Sequence, residues 1–246
     1  GSGRGIGAAI AVALADAGAD IVVTARTLEQ MEKTAAKVRE RGRRALVVSC
    51  DVMDAEQRVA LVEQTMAEFG RLDILVNNAG GSGPKPALAS TVEDFDGSFQ
   101  FNATSAFALS CLSAPQMAKT AGKGAIVNIS SVAGRFPQPG FVSYGVAKAA
   151  LDFMTRNLAQ DFAPKVRVNA IAVGSTLTDS LASVMNDDLE RAMLARTPMQ
   201  RLGQPEDIAA CALYLASPAA DYVTGEIYGV NGGLTGTPME MPRADL

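Results

Sequence analysis

Short apolar runs rich in β-branched residues alternate with longer helical patterns along the chain. The runs typical of strands are IVVTA at 21–25, ALVVS at 45–49, ILVNN at 74–78, AIVNIS at 125–130, VRVNAIA at 166–172 and GEIYGVNGG at 225–233. Helical patterns lie at 6–17, 28–41, 55–69, 98–119 and 143–162. Nearly continuous apolar strands are typical of parallel sheets that helices cover on both faces. The sequence therefore predicts an α/β fold, a doubly wound parallel sheet in a single domain that spans residues 1–246.

The segment at 174–203 interrupts this alternation with helical sequence that carries several Leu and Met residues. It follows the strand at 166–172, and loops after such strands cover the ligand in many α/β folds. We therefore expect a substrate lid at about 174–203. An ordinary packed helix pair is the alternative that the composition leaves open.

The chain contains no histidine, and this absence excludes several kinds of catalytic site. Ser-His-Asp and Cys-His machinery and the HExxH zinc site all require that residue. Acid–base chemistry near neutral pH would have to use a Tyr, Lys, Asp, Glu or Cys whose pKa has moved toward neutrality.

Charge, cysteine usage and hydropathy narrow the range of partners. The net charge is −4 and no basic tract occurs, so we expect no nucleic-acid partner. The three cysteines are scattered, which favours a reducing, cytoplasmic compartment and argues against a disulfide scaffold or a metal site. No apolar run reaches the roughly 18–20 residues that cross a bilayer, so we expect no membrane partner.

The stretch GSGRGIG at 1–7 runs directly into an Ala-rich helical pattern. Its glycines would lie at a helix N-terminus, where free N–H groups and the helix dipole favour a diphosphate. The strand that follows, at 21–25, is where a dinucleotide site places its ribose-binding residue. The sequence therefore predicts a Rossmann-type dinucleotide site with cofactor contacts at Gly1, Arg4, Gly5 and Ile6, although glycine-rich turns without a ligand are also frequent.

The residues that end this strand indicate which dinucleotide binds. NAD(H) sites place an Asp or Glu there, whereas Thr24, Ala25 and Arg26 offer no carboxylate. Arg26 and Arg4 would suit a 2′-phosphate, because guanidinium groups bind phosphate oxygens in a bidentate manner. NADP(H) is therefore favoured over NAD(H), which the sequence also allows. The alternative is that both arginines are ordinary solvated side chains.

Ser131, Tyr144 and Lys148 form the second constellation with chemical meaning. Tyr144 and Lys148 are four residues apart on a predicted helix and share one face, so the ammonium can approach the phenol. A nearby cation stabilises phenolate and is expected to lower the tyrosine pKa from about 10. Tyr144 is then a candidate general acid/base, and Ser131 could donate a hydrogen bond to a substrate carbonyl. A partly buried tyrosine beside a surface lysine is the alternative.

The chain resembles an ordinary, non-extended short-chain dehydrogenase/reductase along essentially its whole length. The matching pieces, in the family's order, are GSGRGIG, Asp51-Val52, NNAG at 77–80, Asn102 in FNATSAF, Ser131 in NISS, YGVAK and NAIAVGSTLTD. The resemblance implies a catalytic tetrad of Asn102, Ser131, Tyr144 and Lys148. It also implies further cofactor contacts at Asp51, Val52, Asn78, Ala79, Gly80, Tyr144, Lys148, Gly174, Thr176 and Thr178.

By the same resemblance, Asp51 and Val52 would contact the adenine and Thr178 would hold the nicotinamide amide. Asn102 would anchor a water that connects Lys148 to solvent. The family usually carries Pro-Gly where this chain has Val173-Gly174. The change frees a backbone angle and adds an N–H group, and we expect the chemistry to survive it.

The activity implied by the resemblance is reversible hydride transfer between the nicotinamide and a carbonyl or secondary alcohol. The stretches NNAGGSGPKP and TPMQRLGQPEDIA resemble 7α-hydroxysteroid dehydrogenases, 3-oxoacyl-acyl-carrier-protein reductases and glucose dehydrogenases. The expected small-molecule substrate is an apolar ketone, a hydroxysteroid or a 3-oxoacyl thioester. A non-catalytic nucleotide sensor on the same fold and an NAD-dependent sugar or polyol dehydrogenase are the alternatives.

The resemblance also has consequences for assembly and for the sheet. The family is usually tetrameric, so we expect a homotetramer that pairs the helices bearing Asn102 and YGVAK, and the last strand with its C-terminal tail. The helix at 143–162 is apolar nearly all round, which fits burial on two sides. The family carries a strand before the glycine turn, and we expect an upstream segment to supply one between the strands at 21–25 and 74–78.

Overall fold

Parallel strands and helices alternate in the computed structural model, which describes residues 1–238. The strands are β1 (Ile21–Ala25), β2 (Ala45–Ser49), β3 (Ile74–Asn77), β4 (Gly124–Ser131), β5 (Val166–Val173) and β6 (Ile227–Val230). The α-helices are α1 (Gly5–Asp16), α2 (Leu28–Arg39), α3 (Ala55–Phe69), α4 (Val92–Phe99), α5 (Ser105–Thr120), α6 (Val142–Phe162), α7 (Asp179–Ala182), α8 (Asp187–Ala195) and α9 (Pro205–Ala216). Each strand predicted from the sequence is present at its predicted place, which confirms the α/β fold.

The strands form two parallel sheets, and the break between them falls at the centre of the fold. β1 pairs with β2, and β3, β4, β5 and β6 pair in that order. Within the described residues no ladder joins β1 to β3. A cavity of about 590 Å³ lies between them, lined by residues of both strands and by side chains of α1 and α3. The break coincides with the position at which a further strand is predicted, and that strand stays a prediction.

Helices cover both faces of the sheet with apolar side chains. On one face α1, α2 and α9 pack against β1, β4 and β5, and Ile208 of α9 is fully buried there. On the other face α5 and α6 pack against β4 and β5, and Met117 of α5 is fully buried. The adjacent residues Ile126 and Val127 of β4 belong to different clusters, because successive strand side chains point to opposite faces. Helices therefore bury both faces of the sheet, as the continuous apolar strands predict.

Two helical regions differ from their predictions. The range predicted as one helix, 98–119, covers the end of α4, a π-helical segment at Gln100–Thr104 and α5, and most of α4 was not predicted. Such π-helical segments are frequent at functional sites. α9 is not among the helices that the sequence pattern predicts. Pro205 begins it, at the first helical position, where a missing N–H group costs nothing.

The segment predicted as a lid begins and ends at one place in the fold. The N–H group of Leu177 donates to the carbonyl oxygen of Gly203 at 2.8 Å, and that of Gly203 donates to the carbonyl oxygen of Ser175 at 2.9 Å. Between these ends α7 and α8 leave most of their side chains exposed, and Met193 packs α8 against the protein with 3% exposure. A segment whose two ends are hydrogen-bonded together and whose helices are loosely packed is suited to act as a lid. Movement of this segment stays a prediction.

No helix in residues 1–238 is long and apolar enough to cross a membrane. Residues 239–246, which the sequence assigns to the single domain and to the tail of the expected tetramer, lie outside the described residues.

Candidate active site

The glycine turn lies across the break between β1 and β3. The Nδ2 atom of Asn78, which follows β3, donates to the carbonyl oxygen of Gly1 at 2.7 Å. On the other side, the N–H group of Ser2 donates to the carbonyl oxygen of Thr24 at 2.8 Å, and the Thr24 N–H group donates to Ser2 Oγ at 2.8 Å. The turn is therefore held from both strands at their carboxyl ends, where open α/β sheets bind ligands.

The N-terminus of α1 is free to bind an anion. Arg4 occupies the N-cap position without a capping side chain, and the first turn contains no acidic residue. The helix N–H groups that have no partner within the helix, together with the helix dipole, fit a diphosphate. Gly5 has a φ of +54°, which favours glycine, and a Cβ atom there would lie 3.6 Å from the Cβ atom of Thr178. The structure thus brings together the glycine turn and Thr178, whose contacts with a cofactor stay a prediction.

The arginines predicted to read a 2′-phosphate both lie at the surface. The side chain of Arg26 is 72% exposed, and its Nη1 atom lies 3.9 Å from Asp51 Oδ2. Arg4 is exposed as well. The turn adjoins the end of β1, since a Cβ atom on Gly3 would lie 3.3 Å from the Cβ atom of Ala25. Two cationic side chains that lie beside the glycine turn and mostly face solvent are available to a phosphate group.

Ser131 and Tyr144 meet where β4 ends and α6 begins. The Oγ atom of Ser131 accepts a hydrogen bond from the Ala133 N–H group at 3.1 Å, so its own hydrogen is free to donate. Burial raises the pKa of Tyr144, and the hydrogen bond from the Ser131 hydroxyl opposes this rise. The sequence predicts that Lys148 lowers the Tyr144 pKa, but the pKa is raised. The cost of removing the phenolate from water is the largest effect on it.

Lys148 is buried beside Tyr144. Its exposed fraction is 3%, its Nζ atom donates to the carbonyl oxygen of Ile129 at 2.9 Å and lies 5.7 Å from the centre of the Tyr144 ring. Burial lowers the pKa of Lys148 from 10.5 to about 8, and the negative charge of Asp152 opposes this change. The alternative of a surface lysine is therefore wrong.

Asn102 lies in the π-helical segment and fixes the loop after β3. Its Oδ1 atom accepts from the Gly81 N–H group at 2.8 Å, and its Nδ2 atom donates to the carbonyl oxygens of Gly81 at 3.2 Å and Ser98 at 3.0 Å. A Cβ atom on Gly80 would lie 2.8 Å from Asn102 Oδ1 and 3.0 Å from Lys148 Nζ. Gly80 therefore lets Asn102 and Lys148 approach the same backbone, which unites the four residues of the predicted tetrad in one place.

The other predicted cofactor contacts lie in two further places, at the end of β2 and at the base of the lid. Val52 is buried and Asp51 is half-buried at the end of β2, beside Arg26. Gly174 and Thr176 lie at the base of the lid: a Cβ atom on Gly174 would lie 2.6 Å from the Cα atom of Asn231, and Thr176 pairs with Gly203. Their contact with a cofactor stays a prediction. The described residues hold no group of three or more His, Cys, Asp or Glu side chains that could bind a metal.

Two residues of the site were not predicted. Ser2 ties the glycine turn to β1, a contact between segments far apart in sequence that no local pattern shows. Asp152 is buried with 5% exposure on α6. Its signal in the sequence is an acidic residue four positions after Lys148 in a helix that is rich in apolar residues.

Comparisons with known proteins agree with this arrangement. A family model described as enoyl-(acyl carrier protein) reductase matches residues 1–235. The chain is 47% identical to an uncharacterised oxidoreductase of Mycobacterium tuberculosis, over 100% of this chain and 94% of the relative. It is 34% identical to a 3-oxoacyl-acyl-carrier-protein reductase of Staphylococcus aureus, over 95% of each protein.

A solved structure extends the likeness to three dimensions. The 7α-hydroxysteroid dehydrogenase of Escherichia coli is 42% identical to this chain. A structure of 7α-hydroxysteroid dehydrogenase in complex with NADH and 7-oxo glycochenodeoxycholic acid superposes with a TM-score of 0.92, at 42% identity, over 95% of this chain and 91% of the other. The glycine turn and the Ser131, Tyr144 and Lys148 cluster thus lie in a fold shared with an enzyme that binds a nicotinamide dinucleotide.

Proposed function

The chain belongs to the short-chain dehydrogenase/reductase family of oxidoreductases, and we propose that it interconverts a carbonyl and a secondary alcohol with NADP(H). The observation that carries this proposal is the cluster of half-buried Ser131 and Tyr144 with buried Lys148, beside Gly80 and Asn102. A hydrogen-bonding serine, a tyrosine proton and a lysine charge together can support carbonyl reduction in a protein without histidine.

Each residue of the cluster has a separate task in carbonyl reduction. The Ser131 hydroxyl donates a hydrogen bond to the substrate carbonyl oxygen and so stabilises the negative charge that develops there. Tyr144 donates its proton to that oxygen, and the Lys148 ammonium stabilises the tyrosinate that remains. When bound, the nicotinamide supplies or accepts the hydride. Alcohol oxidation uses the same groups in reverse, with tyrosinate as the base.

The residues that would hold the dinucleotide extend from the glycine turn to the cluster. The first turn of α1 would bind the diphosphate, and Asp51 and Val52 would contact the adenine. Arg4 and Arg26 would bind a 2′-phosphate, while Thr178 and Lys148 would contact the nicotinamide half. The related dehydrogenase binds NADH, so the preference of this chain for NADP(H) rests on its own Arg26 and on the absence of a carboxylate after β1.

The proposed substrate is an apolar ketone, with a hydroxysteroid or a 3-oxoacyl thioester as the specific classes. Support comes from the two named relatives, one a hydroxysteroid dehydrogenase and the other a 3-oxoacyl-acyl-carrier-protein reductase. The lid adds to this support, because Leu177, Val184 and Met199 are exposed apolar residues of its segment. Exposed apolar side chains beside a site are suited to an apolar ligand.

We further propose a homotetramer in a reducing, cytoplasmic setting. α6 exposes Val142, Val146 and Phe153 along one side, and the adjacent α5 exposes Phe107. An apolar stripe on two neighbouring helices is suited to packing against the same helices of a second copy around a two-fold axis. All three cysteines are free, which is consistent with a reducing compartment.

Activity assays with both cofactors test the proposal. The purified protein would be given NADPH or NADH with a panel of steroid ketones, 3-oxoacyl thioesters and sugars, and consumption of the reduced cofactor measured. We expect turnover of apolar ketones with NADPH, and a loss of at least about 100-fold in Tyr144→Phe. Tyr222→Phe is the matched control, since Tyr222 is fully exposed. Cofactor binding without turnover of any ketone would instead support the nucleotide sensor.

The cofactor preference has its own variant. Arg26→Asp removes the cation and supplies the carboxylate that binds a ribose 2′-OH. We expect kcat/KM with NADPH to fall by at least about 10-fold and kcat/KM with NADH to rise, because a charge-assisted phosphate contact contributes about 1.5–3 kcal/mol. If the ratio of kcat/KM with NADPH to kcat/KM with NADH did not change, Arg26 would not bind the 2′-phosphate.

A further inference from the structure

Asp152 is a buried acid that the proposed reaction does not use directly. It lies on α6, four residues after Lys148, and its side chain is 7% exposed. Residues four apart on a helix lie on one face, with Cβ atoms about 5–6 Å apart. Tyr144, Lys148 and Asp152 therefore follow one another along that face, with Lys148 in the middle.

The surroundings of Asp152 are built from several elements. Arg135, just after β4, places Nε 3.9 Å from Asp152 Oδ2 and donates from Nη2 to the carbonyl oxygen of Ile227 in β6 at 2.7 Å. Burial raises the pKa of Asp152, and the Ser130 hydroxyl together with the charges of Arg135, Arg156 and Lys148 opposes the rise. The carboxylate thus lies among cations, the nearest of which is held on the sheet.

Hydrogen bonding satisfies only part of this carboxylate, which accepts from the Ser130 hydroxyl. Asp152 Oδ1 is buried and has no hydrogen-bond partner among the described residues, and an unsatisfied buried acceptor is costly. A buried acid with an unsatisfied oxygen gives little stability to the fold. Its charge is the property that the neighbouring site can use.

Lys148 is the group on which that charge acts. Lys148 is 3% exposed, and among the described residues its ammonium donates to the Ile129 carbonyl oxygen. Burial favours the neutral amine, and Asp152 is the charged side chain that opposes this effect at Lys148. A neutral amine could not stabilise the tyrosinate that forms at Tyr144.

We propose that Asp152 is a positioning residue of the reaction: its buried carboxylate balances the Lys148 ammonium from the side opposite Tyr144 and keeps it protonated. Arg135 moderates this effect by neutralising part of the carboxylate charge. The inference rests on the proposed role of Lys148 beside Tyr144, but the charge state of Lys148 can be measured without turnover.

NMR titration of the protein with isotopically labelled lysine side chains tests the proposal directly. The Lys148 signal would be assigned by its loss in Lys148→Arg, and its titration midpoint is expected near 8 in the unaltered protein. Asp152→Asn should lower this midpoint by about one pH unit or more, because an opposite charge at this range shifts a pKa by about 1–3 units. Arg135→Gln should raise it, and Asp152→Glu should keep it near the unaltered value.

Controls separate a charge effect from a structural one. Asp161→Asn removes the same charge from an exposed position on the same helix and should leave the Lys148 midpoint unchanged. If Asp152→Asn unfolds, Asp152→Ser removes the same charge with a smaller side chain and should lower the Lys148 midpoint in the same way. An unchanged midpoint in folded Asp152→Asn, or equal shifts in Asp152→Asn and Arg135→Gln, would overturn the proposal. If the proposed function fails, Lys148 would still show the expected midpoints in each variant, but the protein would reduce no ketone.

Discussion

Lys148 shows at the residue scale how the site and the fold have opposing requirements. Its burial beside Tyr144 places a positive charge where the proposed reaction needs one, and it brings the lysine pKa down to about 8. The same burial means that the charged form is less stable in the folded protein than in the unfolded chain. Both consequences can be measured.

The first consequence is a pH dependence of carbonyl reduction. Below about pH 8 Lys148 carries its charge and can stabilise tyrosinate; above it the amine is neutral. We expect kcat for reduction to fall as pH rises through about 8, in contrast to the plateau up to about pH 10 expected of an unperturbed lysine. A pH–rate profile with saturating NADPH and ketone would show the fall, and a rate independent of pH between 7 and 10 would contradict it.

The second consequence is a gain in stability when the charge is removed. The folded-state pKa lies below the unfolded value of 10.5, so the lysine destabilises the fold fully below about pH 8 and ceases to do so above about pH 10.5. Lys148→Met should therefore raise the free energy of unfolding at pH 7 by about 1–2 kcal/mol, after the lost hydrogen bond to Ile129 is allowed for. Urea unfolding measures this change.

The exposed Lys119 provides the comparison for that variant. Lys119→Met should change the free energy of unfolding by less than about 0.5 kcal/mol. Lys148→Met should also lose catalytic activity, whereas Lys119→Met should retain it. Destabilisation by Lys148→Met at pH 7 would show that its hydrogen bond outweighs the cost of its buried charge.

At the scale of elements, the junction of the glycine turn with α1 depends on Gly7, which has no side chain. A Cβ atom on Gly7 would lie 1.9 Å from the carbonyl oxygen of Gly1 and 2.6 Å from Asn78 Nδ2. Both neighbours belong to the contact that joins the turn to β3, so they cannot move without breaking it. Gly7 therefore sets how closely α1 approaches the glycine turn.

Gly7→Ala tests this junction. We expect at least about a 10-fold loss in NADPH affinity and a loss of about 1–3 kcal/mol in the free energy of unfolding, because overpacking forces the backbone to shift. Gly97→Ala is the matched control in α4, where a Cβ atom would meet nothing within 4 Å. That variant should gain about 0.5–1 kcal/mol, since alanine favours helix over glycine. Calorimetric titration with NADPH and urea unfolding give the two readouts.

At the scale of the whole molecule, the apolar stripe on α5 and α6 predicts assembly. Phe153 is 65% exposed in the single chain, and we expect Phe153→Asp to convert a tetramer into smaller species, because it would bury an unpaired charge between copies. Leu28→Asp, at a side chain 62% exposed on α2, should leave the oligomer intact. Light scattering at micromolar concentration distinguishes the outcomes, and a monomeric unaltered protein would contradict the tetramer.

Much of this molecule follows from its sequence, because the signals are local. Strand positions follow from apolar runs of β-branched residues, and the glycine turn follows from its place directly before a helical pattern. The spacing of Tyr144 and Lys148 puts both on one helix face whatever the rest of the fold does. The family resemblance then connects these pieces to Ser131 and Asn102.

Other features depend on segments that only the tertiary structure brings together. Two contacts join residues whose local sequence gives no sign of the partner: that of Ser2 with Thr24 and that of Thr178 with Gly5. The π-helical segment that presents Asn102 likewise has no local signal in the sequence. Burial likewise decides pKa: it raises that of Tyr144 where the lysine alone was expected to lower it. Sequence by itself determined the candidate residues Ser131, Tyr144 and Lys148, because chemistry and periodicity are local. Only the tertiary structure added Ser2 and Asp152 and decided the direction of each pKa shift, because desolvation depends on everything packed around a group.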